Sequence, residues 1–172
     1  MLQKKICMLG SYGVGKTSLV SQFVHSKFSQ KYLSTIGVKI ERKQVRIDGR
    51  DLRLLLWDLH GDDDIQPVRA SYLRGMAGYL LVIDGTRHES LSVAMNLHRL
   101  AVDTVGEVPF VTLINKFDLV ADWEVDDRQL EALSQTGWVI RRTSAKTGEF
   151  VNESFELLGE KILAAENASD SE

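Results

Sequence analysis

Gly10-Ser11-Tyr12-Gly13-Val14-Gly15-Lys16-Thr17 stands between a short apolar run, Ile6-Cys7-Met8-Leu9, and a segment with helical spacing over 16–25. The pattern is G-x-x-x-x-G-K-[ST], in the strand, loop and helix setting that a phosphate-binding P-loop requires. Glycines permit backbone angles that turn successive N–H groups toward one point. The helix N-terminus adds partial positive charge. Lys16 brings a point charge to the β- and γ-phosphates, and the Thr17 hydroxyl is a ligand for Mg²⁺. Gly13, Val14, Gly15, Lys16, Thr17 and Ser18 are therefore the expected phosphate cradle. The loop by itself selects neither the base nor the reaction.

Working outward, short apolar runs alternate with helix-period segments. Runs over 6–9, 78–83 and 110–114 lack polar alternation and read as strands covered on both faces. Segments 38–47 and 51–57 flank Asp48-Gly49, a hairpin signal whose slightly longer loop is expected to carry a bulge. Helical spacing recurs over 91–102 and 151–165, and 138–141 reads as a last short strand. Asp126-Asp127-Arg128-Gln129 resembles a capping box opening a helix that Gly137 closes. The order predicts an α/β protein with the P-loop NTPase fold: a mostly parallel six-stranded sheet, one antiparallel strand, and helices on both faces. Ligands of such sheets bind beyond the carboxyl ends of the strands, where four motifs fall.

The 172 residues suit one domain, expected over 1–165, with a small, polar, acidic tail over 166–172 expected to be disordered. A net charge of −3 gives no bulk attraction for nucleic acid. One cysteine excludes an internal disulfide framework and suits a reducing compartment. Cys7 reads as a small core residue. No secretory h-region or membrane-length apolar run occurs, so a cytoplasmic location is expected. The tail carries no cysteine, so no lipid anchor is expected in this chain.

Three further loops narrow the chemistry. Leu54-Leu55-Leu56-Trp57-Asp58 ends an apolar strand in a carboxylate, with Gly61 three residues on. Asp58 there holds Mg²⁺ through water, and the Gly61 N–H meets a γ-phosphate. Asn115-Lys116-Phe117-Asp118 follows the 110–114 strand. A carboxylate at 118 accepts two N–H bonds, from guanine N1 and N2, a donor pair that adenine lacks. Backbone N–H groups of Ser144-Ala145-Lys146 are placed to meet guanine O6.

In these motifs and their order the chain resembles small GTPases of the Ras superfamily, closest to the Rab branch, over about residues 4–162. Ser34-Thr35-Ile36-Gly37, Ser71-Tyr72-Leu73-Arg74-Gly75, Ile83-Asp84-Gly85-Thr86 and Thr143-Ser144-Ala145-Lys146 extend the likeness. The resemblance implies GTP/GDP and Mg²⁺ as ligands, with Thr17, Thr35 and Asp58 around the metal. It implies that Phe28 packs on the guanine edge and that Tyr32 lids the phosphates, unless it is simply an exposed loop tyrosine. Switch I around Thr35 and switch II over about 61–72 would order around the γ-phosphate and engage effector and regulator proteins.

The pattern breaks in three places. The family carries Gln after the switch II glycine; here Asp62 follows, then Asp63 and Asp64, which read as a solvated acidic loop. Ionised Asp62 cannot donate a hydrogen bond to a phosphoryl oxygen, and its charge opposes the γ-phosphate. Slow intrinsic hydrolysis is the simplest expectation; the other reading makes Asp62 a base toward water. Tyr12 replaces a small P-loop residue, near where an arginine finger would enter, and either blocks one or covers the phosphates. His60 replaces a small residue and crowds the γ-phosphate or alters the switch, unless both side chains simply face solvent.

Two functions compete. The first is an enzyme-switch, with Lys16, Thr35, Gly61 and Asp62 at the reacting phosphate. The alternative is a pseudo-GTPase binding module that recruits partners without useful turnover. A P-loop kinase fits poorly, because no acceptor-binding lid is evident and Asp118 points to guanine.

Overall fold

The computed structural model describes residues 1–29, 37–60 and 67–171. Among the described residues six strands form one sheet: β1 (Leu2–Gly10), β2 (Val38–Ile47), β3 (Arg50–Leu59), β4 (Gly78–Asp84), β5 (Phe110–Asn115) and β6 (Ile140–Arg142). Their order is β2-β3-β1-β4-β5-β6. β2 runs antiparallel to β3, and the other neighbours are parallel. Among the same described residues, the α-helices that cover the faces are α1 (Lys16–His25), α2 (Glu89–Val105), α3 (Asp127–Gln135) and α4 (Val151–Ser169).

Strand periodicity divides the core. Successive side chains point to opposite faces, so a continuous apolar strand feeds two layers. Ile6, Met8, Leu54, Leu56, Leu80 and Val82 pack with α1 and α4, where Phe23 and Phe155 stack at 4.1 Å between ring centroids. Cys7, Leu9, Leu81 and Ile83 pack on the other side against Leu91, Ala94 and Leu97 of α2 and Leu130 of α3. Burial pushes the Cys7 thiol up to about 12, leaving it a core group with little thiolate. Among the described residues no helix is long and apolar enough to cross a membrane.

The hairpin departs from expectation. Ile47 pairs with Arg50, so the connection is two residues with no bulge. Asp48 and Gly49 both have positive φ, at 50° and 75°, the requirement of a type I′ turn whose twist suits the strands. β3 begins one residue before the 51–57 segment and ends two residues after it; Arg50 is an exposed ladder position and carries no apolar signal. The α3 capping box forms as read, with Asp126 accepting from the N–H groups of Arg128 and Gln129. α4 continues through Ser169, into the stretch expected to be disordered. Lys4 pairs with Glu166, Arg50 donates to Asn167 at 3.3 Å, and small helix-compatible residues allow the extension.

Opposite the motif-bearing loops, Trp138 precedes β6 and meets His98 edge-on at 4.8 Å. The Tyr79 hydroxyl lies 2.6 Å from His98 Nδ1. Burial holds His98 below its ordinary value of 6.5, against the opposing charge of Glu107. The unfolded chain therefore takes up this proton first as pH falls, so the stability from neutral His98 is complete above about 6.5 and lost below it. The thermal midpoint is therefore expected to be lower at about pH 5.5 than at neutral pH. His98→Phe should flatten that slope in a pH series of thermal melts.

Candidate nucleotide site

The phosphate loop forms because β1 ends at Gly10 and α1 begins only at Lys16. Gly15 has φ of 104°, and a Cβ there would run into the Asn115 side-chain amide. That amide enters the gap and donates to Val14 O at 3.0 Å. No side chain caps α1 and its first turn carries no acid, so the backbone N–H groups at its positive end face the loop. Lys16 is buried, and its Nζ donates to Gly10 O and Ser11 O, each at 2.9 Å. Val14 divides its roles: the side chain is core, and the carbonyl holds Asn115.

Thr17 Oγ1 donates to Asp58 Oδ2 at 2.7 Å. Asp58 is the last residue but one of β3 and is 1 % exposed. Its Oδ1 is buried and has no hydrogen-bond partner among the described residues. Burial pushes the Asp58 carboxyl up, with the Thr17 hydroxyl and the Lys16 charge pulling the other way. An orphaned carboxylate oxygen beside a hydroxyl is a hard oxygen pair, the donor chemistry of Mg²⁺.

A cavity of about 300 Å³ opens beside this loop, lined by Gly13, Gly15, Ser18, Phe28, the 115–118 loop, Ala145 and Lys146 among others. Phe28 is 39 % exposed on its wall, not a core phenylalanine. Asp118 Oδ1 accepts from Ser144 Oγ at 2.8 Å, and Ser144 Oγ accepts from the Thr147 N–H at 3.1 Å. This chain of bonds aims a carboxylate at the cavity and holds it there. Asn115 is a brace between the loops: besides Val14 O, its Oδ1 accepts from Thr143 Oγ1 and from the Ala145 N–H, both at 3.2 Å. The Ala145 N–H, expected to face a base oxygen, is thus turned toward Asn115.

Lys116 has positive φ, 69°, and its Nζ lies 2.7 Å from Asp84 Oδ2. Asp84 is given no site role above, only a place in a family pattern, although it ends an apolar strand as Asn115 does. Burial alone would raise its carboxyl, but Lys116 and the Thr86 N–H and hydroxyl bring it below the ordinary carboxylate range.

His60 is buried, with Nδ1 3.4 Å from Gly37 O and Nε2 3.3 Å from Pro67 O, so it does not face solvent. Tyr12 is 43 % exposed. Tyr32, Thr35, Gly61, Asp62, Asp63 and Asp64 lie outside the described residues.

The Ras family matches residues 5–164 of the chain. The Ras-related protein Rab-13 of Rattus norvegicus is 32 % identical over 161 residues, which cover 92 % of this chain and 79 % of the relative. Rab-13 of Bos taurus matches with the same identity and coverage. The family match begins inside β1 and ends inside α4, so it reaches all six described strands together with the loops that build the cavity, and the chain belongs to the Ras family as a Rab-like small GTPase.

Proposed function

We propose that this GTP-binding switch holds GTP or GDP with Mg²⁺ in the cavity between the P-loop and the 115–118 loop, and hydrolyses GTP slowly. The observation that carries the reading is the Asp118 carboxylate, anchored by Ser144 on the wall of a cavity that reaches Gly13 and Gly15. Asp118 would accept from guanine N1 and N2, Phe28 would cover the ring edge, and, with the Ser144 N–H donating to Glu149 O and the Ala145 N–H to Asn115, the Lys146 N–H would be the group that faces O6. Backbone N–H groups from Gly13 to Ser18 would meet the phosphates, and the Lys16 ammonium would leave its two carbonyls in part for the β- and γ-oxygens. Thr17, Asp58 and Thr35 would hold Mg²⁺, which when bound neutralises charge on those oxygens. Tyr32 would close over the phosphates.

Hydrolysis is in-line attack of water on the γ-phosphorus, with the electron pair leaving to the β–γ bridging oxygen. Lys16 and the Gly61 N–H would stabilise the charge that develops there. Asp62 is the weak part, because a carboxylate offers no hydrogen bond to the phosphoryl oxygens and repels them. Effector and regulator proteins would read the segments around Thr35 and over 61–72.

Single-turnover hydrolysis of preloaded GTP tests this. Wild type should release phosphate slowly, and Asp62→Gln should be faster by about tenfold or more, the scale of one recovered transition-state hydrogen bond. Absence of release from either protein over hours would leave only the binding-module reading.

A further inference from the structure

The turn joining β4 to α2, residues 84–88, grips both halves of the site. Toward the base loop, Lys116 Nζ meets Asp84 Oδ2, and Gly85 lies against the Trp123 indole, which itself donates to Lys116 O at 2.9 Å. The Glu124 N–H donates to Gly85 O at 2.8 Å, and the His88 N–H donates to Glu124 Oε2 at 3.0 Å. Toward the phosphate loop, Arg87 Nη2 donates to Tyr12 O at 2.5 Å and lies 3.5 Å from Ser11 Oγ. Arg87 Nε is also 3.3 Å from Asp84 Oδ2, an ion pair without hydrogen-bond geometry. One fully buried carboxylate thus stands between the lysine of the base loop and the arginine that holds the P-loop.

We infer that Arg87 is a positioning residue for nucleotide binding, tying the outer P-loop at Tyr12 to the Asp84–Lys116 pair so that the base loop and phosphate loop are ordered together and GDP leaves slowly. The inference rests on the guanine-nucleotide reading above. Two physical effects support it. The loop carries glycines at 13 and 15 with positive φ, and glycine has the most backbone freedom to lose, so a tether at its outer corner lowers the entropy lost on binding. The Tyr12 carbonyl also belongs to the same peptide unit as the Gly13 N–H. A guanidinium on that oxygen polarises the unit and strengthens the N–H that faces the phosphates. Only a planar fork reaches both Asp84 and Tyr12; a lysine has a single head for two acceptors.

The test is release of a fluorescent GDP analogue from wild type, Arg87→Ala, Arg87→Lys, Asp84→Asn and the Arg87→Ala/Asp84→Asn double variant, with a thermal melt of each. Arg87→Ala should speed release about tenfold, the scale of one charge-assisted hydrogen bond, with Arg87→Lys between the two. Coupling through Asp84 should make the Arg87→Ala effect at least about threefold smaller in the Asp84→Asn background. Release at the wild-type rate from Arg87→Ala, full rescue by lysine, or effects that simply multiply would each overturn the tie. A lowered melting temperature with unchanged release would do the same, as the mark of a purely structural arginine. If Asp84→Asn does not fold, the comparison of alanine with lysine at 87 still decides. Wild type that binds no GDP would overturn the guanine-nucleotide reading itself, whereas wild-type binding with an unaltered Arg87→Ala rate would overturn only this inference.

Discussion

Lys16→Ala is expected to lower GDP affinity at least about a hundredfold, measured by calorimetry or displacement of a fluorescent nucleotide. Lys16 is 5 % exposed, and its ammonium bridges the carbonyls of Gly10 and Ser11. Removing it strips a desolvated positive charge from beside the phosphates, where charge-assisted hydrogen bonds are worth about 1.5–3 kcal/mol each. It also leaves two loop carbonyls without their donor, so the loop must reorganise. Each loss of about 1.4 kcal/mol is a factor of ten, and two such interactions give the hundredfold estimate. Lys16→Arg should not restore binding, because the larger planar fork does not fit a compact point-charge position. A loss under about threefold in Lys16→Ala would show that the phosphates sit elsewhere.

The second large effect falls on the base. Asp118→Ala should weaken GDP by about a hundredfold while leaving the weak affinity for ADP unchanged, so that selectivity collapses along with affinity. Two N–H donors of guanine lose a carboxylate acceptor, at about 1.5–3 kcal/mol for each charge-assisted bond. Adenine has no such donor pair to lose. Ser144 keeps its bond from the Thr147 N–H, so the supporting loop should stay ordered in the variant. Equal GDP affinity in wild type and Asp118→Ala would refute base recognition by this carboxylate.

The fold was legible wherever a signal is local. Apolar runs without alternation marked the central strands, and the capping box at Asp126 marked the start of α3. Signals failed where exposure blurred them: Arg50 is an exposed strand residue ahead of the segment read from 51, and Glu166 to Ser169 form helix in a stretch that composition alone reads as a tail. In the site, Lys16, Asp58 and Asp118 were legible because each ends or follows a strand within a short pattern. The inward turn of His60 and the bracing role of Asn115 were not, since both depend on carbonyls from other segments. The polar reach of Arg87 to Tyr12 spans 75 residues of chain, and no pattern records it.

From the sequence alone came the strand–loop–helix phosphate motif, the alternating α/β order and the family likeness, because each is written in spacings of a few residues that sterics and periodicity enforce. Only the tertiary structure made Asp84 a hub. Parallel pairing sets Asp84 opposite Asn115 at the ends of β4 and β5, and that register brings Lys116 onto a buried carboxylate and swings Arg87 across to the P-loop. Such contacts are settled by how strands dock side by side, and the energy of a desolvated charge pair appears only once burial has removed the water.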